Sequence, residues 1–147
     1  MLEISDELVQ RIREHGARTY PTECCGALLG RADGESKRVL DLLPLDKRRE
    51  GEAARTRFLI SAQDYLFAEK TARQHQLEIL GFYHSHPDHA AQPSEFDREH
   101  ALPWYSYIVV RVAGGHPQEA TSWLLREDRT GFEAEPIVAP APSNPAK

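Results

Sequence analysis

The sequence predicts one α/β domain, more narrowly α+β, with a mixed and largely antiparallel sheet flanked by two or three helices. Three observations carry that expectation. Apolar residues recur with helical spacing in some segments and as short β-rich runs in others, so neither period rules the whole chain. At 147 residues, with 40% hydrophobic and 28% charged side chains, the chain has the size and composition of a single soluble domain with one ordinary core. No segment repeats and no second domain is visible. Residues 1–138 are expected to form the domain, and the Pro/Ala-rich residues 139–147 a disordered tail.

Taken in order, Ser5 is a good N-cap, and Leu8, Val9 and Ile12 space a helix that runs to about His15-Gly16. Pro21 breaks the chain. Residues 24–29 read as a short apolar strand ending at Gly30, and Asp33-Gly34 is a hairpin signal that should fold residues 36–43 back onto it. Residues 44–57 are charged and nearly free of large apolar side chains, the mark of a long loop, and 58–60 suggest a short strand. Ser61 can cap a helix over 62–76, with Tyr65, Leu66 and Ala72 as buried candidates. Residues 77–83 read as a buried strand, and a short helix begins at Ser94 behind Pro93. Residues 105–112 are β-branched and aromatic, hence a central strand. Gly114-Gly115 marks a turn, and residues 121–125 and 132–138 supply further strands.

The formal net charge of −5 leaves no basic field to attract nucleic acid or anionic lipid. The one dense basic run, Lys47-Arg48-Arg49, reads as a solvated loop face. The first residues carry acids where a signal peptide would carry positive charge, and no apolar stretch nears the roughly 18 residues that would span a bilayer. Cys24 and Cys25 are adjacent, and a strand would point them to opposite faces, so they form no secreted disulfide framework. A reduced, cytoplasmic setting is the expectation.

The segment richest in chemistry is Gly81-Phe82-Tyr83-His84-Ser85-His86-Pro87, followed by a loop to Pro93-Ser94-Glu95-Phe96-Asp97. Two histidines at i and i+2 on an extended chain project to the same face and can share one ion. Pro87 ends the strand, which puts the pair at the end of a sheet. Asp97 falls in the first turn of the next helix, three residues after Ser94, where its carboxylate can meet both imidazoles. Two neutral nitrogens and one carboxylate suit zinc, whose catalytic sites use three protein ligands and leave a fourth position to water. A second carboxylate, not itself a ligand, must then take the proton. Glu23, in Pro21-Thr22-Glu23-Cys24-Cys25-Gly26, is the best candidate.

Together these residues resemble the JAMM (MPN+) metalloproteases, whose motif is a distant Glu, then His-x-His, seven residues, Ser, two residues and Asp. Glu23, His84, His86, Ser94 and Asp97 fulfil each element, and the resemblance extends over the chain up to its tail. It implies that His84, His86 and Asp97 bind Zn2+ and that Glu23 is general base and then acid. Ser94 would stabilise the oxyanion by hydrogen bonding. The Pro-x-Glu-x-Cys-Gly form and the short length are similar to the minimal prokaryotic members. Several of those resemble peptidases that cut after the C-terminal Gly-Gly of ubiquitin-like sulfur-carrier proteins and release cysteine or a short extension. Asp46 stands where many relatives carry Asn, which bears on substrate contacts and not on the metal site.

Plainer readings stand beside these. The histidines and Asp97 read alone as a hydrogen-bonded cluster next to a helix cap, Glu23 as a surface carboxylate, and Ser94 as an N-cap. His89 and His100 are extra ligands, substrate contacts or solvent-facing residues. His15, His75 and His116 show no partner pattern. Cys24 or Cys25 is expected to be a small buried hydrophobe rather than a nucleophile, and Trp104 and Trp123 to pack in the core or at an edge. A non-catalytic MPN-type scaffold and a zinc amidohydrolase for a small molecule are the competing functions. The carrier, the residue released, and the choice between monomer and homodimer are left open.

Overall fold

In the computed structural model, residues 1–34, 36–45 and 60–140 are described, Phe96 by its backbone alone. Residues 58 and 59 of the expected strand at 58–60, the basic run, Asp46 and nearly all of the loop and tail expectations lie outside those residues, and Ile60 is in no strand.

Helix α1 (Asp6–Thr19) starts where Ser5 Oγ accepts the backbone N–H of Leu8 at 3.2 Å, with Asp6 and Glu7 in its first turn. It runs past the expected end to Thr19, and Leu8, Ile12, His15 and Gly16 form its buried stripe. Helix α2 (Ala62–Gln74) opens with a reciprocal capping box between Ser61 and Asp64, and its buried stripe is Asp64, Ala68 and Ala72. Leu66 was expected inside but is 64% exposed, since about 200° of helical rotation separates it from Ala68 and Asp64. Helix α3 (Glu95–His100) is capped by Ser94.

Among the described residues, eight strands make one sheet: β1 (Leu2–Glu3), β2 (Cys25–Asp33), β3 (Ser36–Pro44), β4 (Glu78–Pro87), β5 (Ser106–Ala113), β6 (His116–Leu125), β7 (Phe132–Glu135) and β8 (Ile137–Val138). Their order is β7-β6-β5-β4-β2-β3-β1-β8. The β2–β3, β2–β4, β5–β6 and β6–β7 pairs are antiparallel, whereas β4–β5, β1–β3 and β1–β8 are parallel. The expected mixed, largely antiparallel sheet is therefore present. The β2–β3 hairpin turns at Gly34, with φ +64°, as Asp33-Gly34 foretold.

The expected strand over 132–138 is two strands. Pro136 separates β7 from β8, and they sit at opposite ends of the strand order. Two peptide units span less than about 8 Å, so the sheet curls until its two ends nearly meet. β1, unanticipated in the sequence, completes that closure: Leu2 N–H donates to Pro136 O and Ile4 N–H to Val138 O, both at 2.9 Å.

At its centre, along β2, β4 and β5, the sheet is buried on both faces. One packs with α1 through Leu8, Ile12, Leu28, Leu80, Tyr83 and Val110. The other packs with α2 through Ala27, Leu29, Ala68, Ala72, Phe82 and Tyr107. Cys24 joins the first cluster and Cys25 the second, both buried, as their adjacency on an extended chain requires.

Candidate metal centre

A register shift against β2 between Leu28 and Leu29, which skips Leu80, sets the faces of β4. Beyond it, Tyr83 and Ser85 turn to the α1 side while Phe82, His84 and His86 turn to the α2 side. Ser85, between the histidines, is fully buried and its Oγ accepts the Cys24 N–H at 2.8 Å. That bond fastens β4 to the segment bearing Glu23. β4 also pairs with β5 across His84↔Val109 and His86↔Arg111, so the histidines stand on one of the most enclosed strands.

Three donor atoms converge. His84 Nε2 and His86 Nε2 are 3.0 Å apart, and Asp97 Oδ2 lies 3.3 Å from each. His84 is 2% and Asp97 10% exposed. Zinc with bonds of about 2.0–2.2 Å in tetrahedral geometry sets its ligand atoms about 3.3–3.5 Å apart, so the donor set fits the ion. The protonation pattern fits too. His86 Nδ1 donates to Ala90 O at 2.9 Å, which leaves Nε2 as the acceptor in the neutral ring. One proton between the histidines can serve only one pair of these atoms, whereas a cation can satisfy all three.

Helix α3 brings in the carboxylate. Ser94 Oγ accepts Asp97 N–H at 3.1 Å, and Asp97 Oδ2 accepts Ser94 N–H at 2.7 Å. Burial opposes ionisation of Asp97, but the hydrogen bonds from His84 and His86 and the Ser94 N–H outweigh it and hold the carboxyl well below the usual range. For His86, burial works against protonation, but bonding to Asp97 and Ala90 and the attraction of Asp97 and Glu23 prevail and raise its pKa. Ser94 is thus an N-cap in this structure, with its hydroxyl at the rim of the donor cluster.

Glu23 is half-buried. Cys25 pairs with His84, and Ser85 N–H donates to Cys24 O at 3.2 Å. Carried two residues on from Cys25, that register sets Glu23 across from His86, on the same face as the donor atoms. The attraction between the Glu23 carboxylate and His86 agrees with that placement. Beside the cluster is a largely apolar pocket of about 140 Å³, lined by His84 and Asp97 together with Tyr65, Phe82, Leu102 and Phe132. His100 also borders it, whereas His89 is exposed and outside the donor group.

Sequence reasoning missed several supporting groups. His15 is buried against Tyr83, its Nδ1 2.8 Å from the phenol oxygen. Its i+3 and i+7 spacing from Ile12 and Leu8 was the available signal. Ser85 and the Ala90 carbonyl also escaped notice. The strand alternation announced Ser85; nothing local announced Ala90.

Residues 5–126 match the family described as prokaryotic homologs of the JAB domain. Among curated proteins, the chain is 32% identical over 101 residues to the tail tip assembly protein K of Escherichia phage N15, with 66% of this chain and 37% of that protein covered. The chain thus spans little more than a third of that relative. It is 29% identical over 110 residues to a desampylase of Haloferax volcanii, covering 74% of this chain and 76% of that one. A solution structure of a protein from Salinibacter ruber is 39% identical, with a TM-score of 0.77 over 97% of this chain and 94% of that one. The fold alone is shared with a JAB1/MPN domain protein from Archaeoglobus fulgidus, at 19% identity and a TM-score of 0.58 over 93% of this chain and 97% of that one. No helix among the described residues is long and apolar enough to cross a membrane. The chain belongs to the prokaryotic JAB family, within the JAMM/MPN fold.

Proposed function

We propose that the chain is a zinc-dependent peptidase that hydrolyses the peptide or isopeptide bond after the C-terminal Gly-Gly of a ubiquitin-like sulfur-carrier protein. The observation that carries the reading is the triangle of His84 Nε2, His86 Nε2 and Asp97 Oδ2, with edges of 3.0, 3.3 and 3.3 Å. Support for the substrate comes from the Haloferax volcanii relative, which is named a desampylase.

When bound, zinc supplies Lewis-acid polarisation of the scissile carbonyl and lowers the pKa of water to about 7. Glu23, on the face of the donor cluster, takes the proton of the attacking water and returns it to the leaving amine. Ser94 keeps its hydroxyl hydrogen for the carbonyl oxygen as that atom gains negative charge. His86 is held in its acceptor tautomer by Ala90. The apolar pocket next to His84 and Asp97 gives an extended tail a surface against which to lie.

The test is incubation of the zinc-loaded protein with ubiquitin-like carriers extended beyond Gly-Gly, read by intact mass. Loss of the residues after Gly-Gly is expected. An unchanged mass for every carrier overturns the substrate; turnover of small amides alone would then assign an amidohydrolase, and zinc uptake with no turnover a scaffold.

A further inference from the structure

His86 depends on a carbonyl that belongs to no regular element. Its Nδ1 donates to Ala90 O at 2.9 Å, so the tautomer that presents Nε2 to the donor cluster follows the position of the turn over residues 88–91. That turn is anchored on both sides of Ala90. Downstream, Ala91 O accepts Thr121 Oγ1–H at 2.5 Å, and Thr121 Oγ1 in turn accepts Trp123 Nε1–H at 2.9 Å. Upstream stands Asp88.

Asp88 bonds to three different segments through its backbone N–H and both carboxylate oxygens. Its N–H donates to Val112 O at 2.7 Å, its Oδ1 accepts the Gly114 N–H at 2.8 Å, and its Oδ2 accepts the Tyr20 hydroxyl at 2.6 Å. Its φ of +59° is left-handed, a conformation that Asp and Asn tolerate better than most residues. Tyr20 is the C-cap of α1 and opens the Tyr20-Pro21-Thr22-Glu23 stretch. One short, charge-assisted bond therefore joins the stretch that ends in Glu23 to the turn that holds His86.

We propose that Asp88 is a positioning residue: bonded at once to Tyr20, Gly114 and Val112, it locks the turn whose Ala90 carbonyl orients His86 and keeps that ligand in register with Glu23. The inference rests on the metal-centre reading above. Groups that hold a ligand's second ring nitrogen commonly change metal affinity by about 10–100-fold when removed, and Asp88 acts one step further out, at the low end of that range.

The experiment compares Tyr20→Phe, Asp88→Asn and Asp88→Ala with the parent. Zinc affinity is read by competition with a chromogenic chelator, ligand geometry by the visible spectrum of the cobalt(II)-substituted protein, and folding by melts of the metal-free protein. Tyr20→Phe removes only a hydroxyl, and Asp88→Asn keeps both the left-handed tolerance and an acceptor for Gly114. Zinc affinity is expected to fall about tenfold in Tyr20→Phe and Asp88→Ala and less in Asp88→Asn, with a shifted cobalt spectrum. The double variant Tyr20→Phe/Asp88→Ala should be no weaker than the worse single one, because both break the same bond. Lowered melting temperatures with unchanged zinc affinity and cobalt spectrum overturn the proposal and leave Asp88 a structural role. A parent that takes up no zinc overturns the metal-centre reading itself, and the proposal with it.

Discussion

Gly26 lies directly across the β2–β4 ladder from Tyr83, and a Cβ at Gly26 would fall 2.2 Å from the tyrosine ring. The ring occupies the space a side chain would take, which explains a glycine in the Pro-x-Glu-x-Cys-Gly stretch by packing rather than by backbone freedom. Tyr83 bonds His15 of α1 and immediately precedes His84. Gly26→Ala should therefore cost about 1–3 kcal/mol as an overpacked core does, read as a lower urea midpoint. An unchanged midpoint would mean that the ring can swing aside freely.

Glu23→Gln should lower turnover by about 10²–10⁴-fold, the range for loss of a general base. Zinc content and melting temperature should stay near those of the parent, since Glu23 lies outside the donor triangle. Residual cleavage near the parent rate, measured by intact mass, would remove Glu23 from the chemistry.

Replacing His84, His86 or Asp97 by Ala should each reduce the zinc retained after dialysis, measured by elemental mass spectrometry. Chelation of the parent should abolish cleavage, and added zinc should restore it. Full zinc retention in all three variants would refute this donor set.

Arg129 clasps the far end of α3. Its guanidinium donates to Ala101 O at 2.9 Å, Glu99 O at 3.3 Å and Arg98 O at 3.4 Å, while Arg98 Nη1 donates back to Arg129 O at 2.8 Å. A helix of 6 residues cannot persist by propensity, so it depends on its two ends. Arg129→Ala should destabilise the fold by about 1–3 kcal/mol, as loss of charge-assisted bonds does, and weaken zinc binding by displacing Asp97. If the melt shifts while zinc affinity holds, the clasp serves the fold alone.

The metal-free protein should lose stability on acidification partly through Asp97. Its folded pKa is depressed below the unfolded value of about 3.9, so its contribution is complete above that pH and fades as pH falls towards the folded value. Melts between pH 6 and about 3 should show a shallower acid decline for Asp97→Asn than for the parent. Equal slopes would place the acid sensitivity elsewhere.

The clustering of the three donor side chains was legible in the sequence because its geometry is local. Alternation on an extended chain put His84 and His86 on one face, and a capping spacing put Asp97 in the first turn after Ser94. Glu23 was singled out by motif alone; its place across from His86 depends on the β2–β4 register, which no local pattern specifies. The remaining departures have the same origin. β1 is too short to announce itself, and Pro136 marks a break without saying that the strands on its two sides part company. Leu66 was misplaced because composition outweighed its angle on the helix. Ala90 contributes a carbonyl, and a carbonyl has no residue signature.

The closure at Pro136 also bears on how the molecule comes apart. With β7 and β8 at the two ends of the strand order but joined through one residue, neither end can peel away without tugging on the other. Fraying, which in an open sheet begins at an outer strand and spreads inward, here has no independent starting place. Amide protons of β1 and β8 should therefore share the exchange protection of β6 and β7, despite the brevity of those strands, and the first and last segments of the domain open together as one cooperative unit.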